Sequence, residues 1–196
     1  MRVSKEQVET NRTSLLQAAG RLFREKGFDG VGVAEVAQEA GLTHGALYAH
    51  FPSKDALAAE AFSDASAQRV TSMRRRKRTF EEFLEVMFST ETRDNLASGC
   101  PMTASASEIA RQGTAVATSF ARAFEDTVAV LEESIESEMT ASQKRRLAVS
   151  ALAAQIGAIA VARAVATVDA PLSKEVLRAV REIATPAYPA QRNKAR

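Results

Sequence analysis

The sequence predicts an all-α fold, and three observations carry that prediction. Helix-favouring residues are abundant and β-branched clusters few, with only 9 Gly and 5 Pro in 196 residues. Apolar residues recur every three or four positions through most of the chain. Helix-start signatures recur as well, a Thr followed three residues later by Glu or Gln, at Thr79/Glu82 and Thr140/Gln143. A chain of this length buries a core without disulfide or metal support.

The first helix is expected from Thr10 to Lys26, where Leu15, Leu16, Ala19, Leu22 and Phe23 share a face and Gly27 offers a left-handed stop. Short helices follow at Val33 to Ala40 and His44 to about His50, joined through Gly41-Leu42-Thr43 and closed by Phe51-Pro52. Ser53 caps the next helix, whose inner face holds Leu57, Ala61 and Phe62 and which runs to about Met73. The basic run Arg74 to Arg78 ends it. Such a run suits a solvated helix end facing the negative pole of the helix dipole, or a contribution to the attraction of DNA.

Beyond the Thr79 capping box, Phe83, Val86 and Met87 mark a helix that the irregular stretch Asn95 to Pro101 interrupts. Helices are expected at about Met102 to Arg111, about Ala115 to Glu138, and from the Thr140 box to about Val168. Ser173, placed after Pro171, is expected to cap a last helix that Pro186 stops, with a frayed tail at 191–196.

The domain division expected from this layout is 1–55, extended by a linking helix over 54–73, and 56–190. Charge supports two roles: residues 1–79 hold 13 Lys/Arg against 9 Asp/Glu, while the whole chain is only +2. The lone Cys100 forms no internal disulfide and the opening MRVSKEQVET lacks an apolar segment, which together point to a reducing cytoplasm. The stretch Ala151 to Val168 is broken by Gln155, Gly157 and Arg163, falls short of a membrane span, and reads as a buried helix.

Two short helices crossing steeply at a tight turn need a small residue at the contact and a positive-φ residue in the turn, and Ala37 and Gly41 stand at those places. Val36, Ala40, Leu42 and Leu47 then point inward, leaving Thr43, His44, Gly45 and Tyr48 outside. The segment carrying Arg12, Ala19, Leu22-Phe23, Gly27-Phe28, Val36-Ala37, Ala40-Gly41-Leu42, Gly45, Leu47-Tyr48, His50-Phe51, Lys54 and Leu57 resembles the TetR family of bacterial transcriptional regulators over about sixty residues.

That resemblance implies an N-terminal helix-turn-helix domain that binds a palindromic DNA operator, a larger C-terminal helical domain for ligand sensing and dimerisation, and repression relieved by a small-molecule effector. The implied DNA-binding residues are Val33, Thr43, His44, Gly45, Tyr48, His50 and Lys54. Thr43, His44 and Gly45 would approach base edges, and Tyr48, His50 and Lys54 would grip phosphates. Two positions depart from the family's pattern. Val33 replaces a Thr that touches phosphate, so that hydroxyl contact is lost, and His44 stands where Ser, Lys or Arg is common. Tyr48 packing on the first helix, His50 as an ordinary surface residue, and Gly45 serving either helix–helix or helix–DNA approach are the structural alternatives.

The same resemblance implies a homodimer through the last two helices, which the Ala, Gly157, Ile156 and Ile159 positions favour by letting helices approach closely. An effector cavity would be walled by Phe83, Met87, Phe88, Met102, Phe120 and Phe124. Cys100, beside Gly99 and Pro101, is the candidate redox or electrophile sensor, against the alternative of an inert buried thiol. No cofactor, metal or membrane is expected. Nor is catalysis: the two histidines both lie in the DNA-reading segment, and no phosphate loop or nucleophile–base pair is present. An all-helical small-molecule carrier without DNA binding is the alternative.

Overall fold

The computed structural model describes residues 4–185, folded among those residues into ten helices with no strand. They are α1 (Lys5–Lys26), α2 (Val33–Glu39), α3 (His44–His50), α4 (Lys54–Arg76), α5 (Phe80–Met87), α6 (Thr90–Asp94), α7 (Pro101–Ile109), α8 (Thr114–Glu133), α9 (Ala141–Val165) and α10 (Ala170–Ala184). Pro186 and the expected frayed tail at 191–196 lie outside the described residues.

Local signals place most of the ends. α1 begins five residues before Thr10 because Ser4 caps it, its hydroxyl accepting from the Gln7 amide at 3.1 Å. Gly27 closes it at φ 76°. Both expected capping boxes form, Thr79 with Glu82 and Thr140 with Gln143. The helix opened at Thr79 is shorter than expected: Phe88 ends it, and Ser89, accepting from Thr92 at 3.0 Å, starts the separate α6. Ser173 does not cap the last helix. Asp169 does, accepting from Leu172 at 2.9 Å, while Ser173 lies buried inside α10 and donates to the Ala162 carbonyl at 2.7 Å. A carboxylate three residues before the first free amides outcompetes a serine already past them.

Packing divides the described chain into two units. The first comprises residues up to Arg69 with Leu96–Ala123, and the second Val70–Asn95 with residues from Phe124 onward. In the first, α1 packs on α2, α3 and α7, and its core includes Leu15, Ala19, Phe28, Val36, Leu47, Phe51 and Leu57. In the second, α9 pairs with α10 and meets α6, while α5 meets α6 and α10. Gln155 of α9 is buried and donates to the Met87 carbonyl at 3.3 Å. Arg163 is satisfied by the Arg93 carbonyl at 2.7 Å.

By length and hydropathy alone α9 does reach the measure of a membrane-crossing helix, contrary to expectation, with a window of mean hydropathy 1.7 of which 39% is buried. Its inward face of Leu147, Ala148, Ala151, Leu152, Ala158, Ile159 and Ala162 is instead that of a domain core helix.

Candidate nucleic-acid interface

The α2–α3 turn is closed by backbone hydrogen bonds before α3 begins. Leu42 donates to the Ala37 carbonyl at 2.8 Å and Gly41 donates to that of Gln38 at 3.0 Å. Together with Gly41 at φ 70°, this is a Schellman closure, which satisfies α2's last carbonyls and reverses the chain. Ala37 is fully buried at the crossing. Thr43 then caps α3, its hydroxyl accepting from the Ala46 amide at 3.2 Å.

Leu47 anchors α3 in the core, while Thr43, His44, Gly45 and Tyr48 are exposed. Tyr48 is 46% exposed. Its ring meets that of His44 edge-on, with centroids 5.0 Å apart. A β-carbon added at Gly45 would meet no atom beyond its own helix backbone and chain neighbours within 4 Å. Val33, His50 and Lys54 are half-buried, with Lys54 opening α4 behind the Ser53 cap, where Ser53 accepts from Ala56 at 3.1 Å.

Charged contacts brace this surface from behind. Arg12 of α1 pairs with Glu60 of α4 and lies over the Phe51 ring, 5.1 Å from its centroid. Arg21 pairs with Glu39, and Lys26 with Glu35, tying α1 to α2. Hydrogen bonding from Lys26 holds the Glu35 carboxyl below its usual range and raises the Lys26 ammonium. Exposed pairs of this kind add little stability each.

A longer-range tie was not legible in the sequence. Glu108 of α7 accepts from the Phe28 amide at 2.9 Å, filling the space that the side chain of any residue other than glycine at 27 would need. Nearby, Arg24 donates to the Ala97 carbonyl at 2.7 Å, and burial pulls its guanidinium below the usual value. Arg24 is also within electrostatic range of Cys100, a neighbour that sequence adjacency did not provide. Cys100 itself is 2% exposed and occupies the position before α7.

The six expected effector walls fall in both units. Phe83, Met87 and Phe88 are buried in the second, with Phe124 half-buried there. Met102 is buried in the first, where Phe120 packs on Phe62 with ring centroids 5.8 Å apart.

Residues 15–61 match bacterial regulatory proteins of the tetR family. Residues 77–180 match the C-terminal domain of LmrA/YxaF-like transcriptional regulators. The chain is similar to the HTH-type transcriptional regulator LmrA of Bacillus subtilis, 42% identical over 55 residues that make 28% of this chain and 29% of that protein. It is also similar to AcrR of Shigella flexneri, 37% identical over 59 residues, 30% of this chain and 27% of that one. These matches span less than a third of the length of either relative.

Among solved structures, NemR of E. coli in its reduced form superposes with a TM-score of 0.70 at 21% identity, covering 92% of this chain and 98% of that one. A TetR-family regulator from Cytophaga hutchinsonii gives 0.69 at 21% identity, covering 95% and 98%. At such identities the likeness is one of fold. With its front helices and most of its remaining length each matched to a domain of the same group, the chain belongs to the TetR family of bacterial regulatory proteins.

Proposed function

We propose that this protein is a ligand-responsive transcriptional repressor that binds a palindromic operator as a homodimer and lets go when a small molecule occupies its helical C-terminal part. The observation that carries the DNA-binding half is α3 itself: a pre-closed, capped helix whose outward residues, Thr43, His44, Gly45 and Tyr48, are exposed. A helix presented in this way enters a major groove through its N-terminal residues. Val33, His50 and Lys54, half-buried beside it, would meet the flanking phosphates, Val33 without a hydroxyl to offer.

Dimerisation finds support in the outer face of α9. Ile159, Ala148 and Ala151 face the core, but Ala153, Gly157, Ala160, Val161 and Ala164 form an exposed stripe of small and apolar residues at helical spacing. A side chain at Gly157 would meet nothing within 4 Å. Such a stripe permits close helix approach across a two-fold axis, and α10 also exposes the apolar Leu172 and Ile183.

For the effector we carry forward Phe83, Met87, Phe88 and Phe124 of the second unit as apolar walls, with Met102 and Phe120 of the first as candidates by themselves, and a domain division for function at about residue 55. Cys100, buried next to Pro101, is assigned a packing role. The test is a mobility-shift titration of the purified chain with the DNA flanking its own gene. Sequence-specific retention that weakens steeply with salt is expected. No retention at low salt would overturn the reading in favour of an all-helical small-molecule carrier.

A further inference from the structure

Among the described residues, two buried polar atoms of α4 have no hydrogen-bond partner, Ser66 Oγ and Arg69 Nε. Ser66 is 6% exposed. A buried hydroxyl or guanidinium N–H left unpaired is costly, so proteins rarely keep one without a use for it. Several other hydroxyls of this chain settle the matter locally. Thr10, Ser14, Ser105, Thr118 and Thr185 each donate to the carbonyl four residues back. Ser66 has the same option toward Phe62 and does not take it.

Arg69 Nε is the second such atom, and among the described residues no carboxylate pairs with Arg69. Three residues apart on one helix, Ser66 and Arg69 share a face, with β-carbons about 5–6 Å from one another. Four residues before Ser66 on that face stands Phe62, buried, its ring stacked at a tilt on Phe120 of α8. The stripe thus sets an aromatic pair beside two unspent donors.

We propose that this stripe binds the polar end of the effector, and that the effector is a hydrophobic carboxylate: its two oxygens accept from Ser66 Oγ–H and Arg69 Nε–H, and its apolar body lies against Phe62 and Phe120. Two donors of fixed spacing, one of them cationic, match the two oxygens of a carboxylate. The regulatory meaning of this binding rests on the repressor reading above, while the binding itself is measured without DNA.

The experiment uses the full chain and two matched series: 2-naphthoate with its alcohol and its methylamine analogue, and octanoate with octanol and octylamine. Thermal melting and calorimetric titration are expected to show stabilisation by at least one acid and not by its alcohol or amine. Ser66→Ala and Arg69→Met should each weaken that acid by about tenfold or more, the loss expected for a hydrogen bond to a charged group. Without ligand, Ser66→Ala should melt no lower than the parent chain, because it removes an unpaired buried group. Overturning results are that neither acid binds, that alcohol or amine binds as well as the acid, that the variants bind the acid unchanged, or that Ser66→Ala melts lower on its own. If acids bind but no operator is retained, the repressor reading fails and this one stands.

Discussion

The Glu108 carboxylate of α7 accepts the backbone N–H of Phe28 at 2.9 Å, joining residues 80 positions apart. Phe28 is buried at the break between α1 and α2, and the bond to its amide is part-buried. Glu108→Ala is expected to cost about 1–3 kcal/mol, the penalty for an unpaired buried donor. At about 2–4 °C of melting temperature per kcal/mol for a chain of this size, the loss is readable by calorimetry. Glu108→Gln keeps an acceptor and should lose less. A melting temperature unchanged in Glu108→Ala would show that the amide finds another partner.

Gly45 is expected to separate stability from recognition. It sits inside α3 with open space where a side chain would go, so Gly45→Ala should raise stability by up to about 1 kcal/mol. The same methyl group would stand between helix and base edges and is expected to weaken operator binding about tenfold or more. A variant that is both more stable and equally tight on DNA would remove Gly45 from the interface.

Lys54 is expected to act on phosphate rather than sequence. Lys54→Ala should weaken binding to every duplex by a similar factor and reduce the salt slope by about one. A loss confined to one operator would contradict the assignment.

Lys77 carries backbone strain at the end of α4. It has φ 44°, and no other described residue apart from glycine has positive φ. Lys77→Gly relieves a left-handed conformation that costs an L-residue about 1 kcal/mol and should gain about that much in urea unfolding. A loss instead would mean that the lysine side chain holds more than the strain releases.

The α9 stripe gives the test of assembly. Gly157→Arg places a charged side chain on the exposed stripe, at a position where an added β-carbon would meet no atom beyond its own helix within 4 Å. Light scattering at micromolar concentration is expected to show dimer for the parent chain and monomer for the variant, with helicity retained. A variant that stays dimeric would move the interface elsewhere.

What the sequence revealed and what it concealed divides along contact range. Ala37, Gly41, Thr79, Thr140 and the α3 span of His44 to His50 were legible because their causes lie within a few residues. Ser173 misled for the same reason: it follows a proline in a pattern that suits a cap, but Asp169 comes earlier in the chain and reaches the free amide first. The exposure of Thr43, His44, Gly45 and Tyr48 followed from helical spacing around Leu47. Glu108, Ser66 and Arg69 were invisible, since a carboxylate 80 residues away and the failure of two donors to find partners are properties of the assembled core.

The closure at Gly41 also bears on how such a protein would search for its site. Because the reversal and the start of the following helix are fastened by the chain's own bonds, no segment has to order itself when a duplex arrives, and weak encounters along unspecific sequence carry no folding penalty. Discrimination between right and wrong sites would then be expressed in how long the protein stays, and hardly at all in how fast it lands.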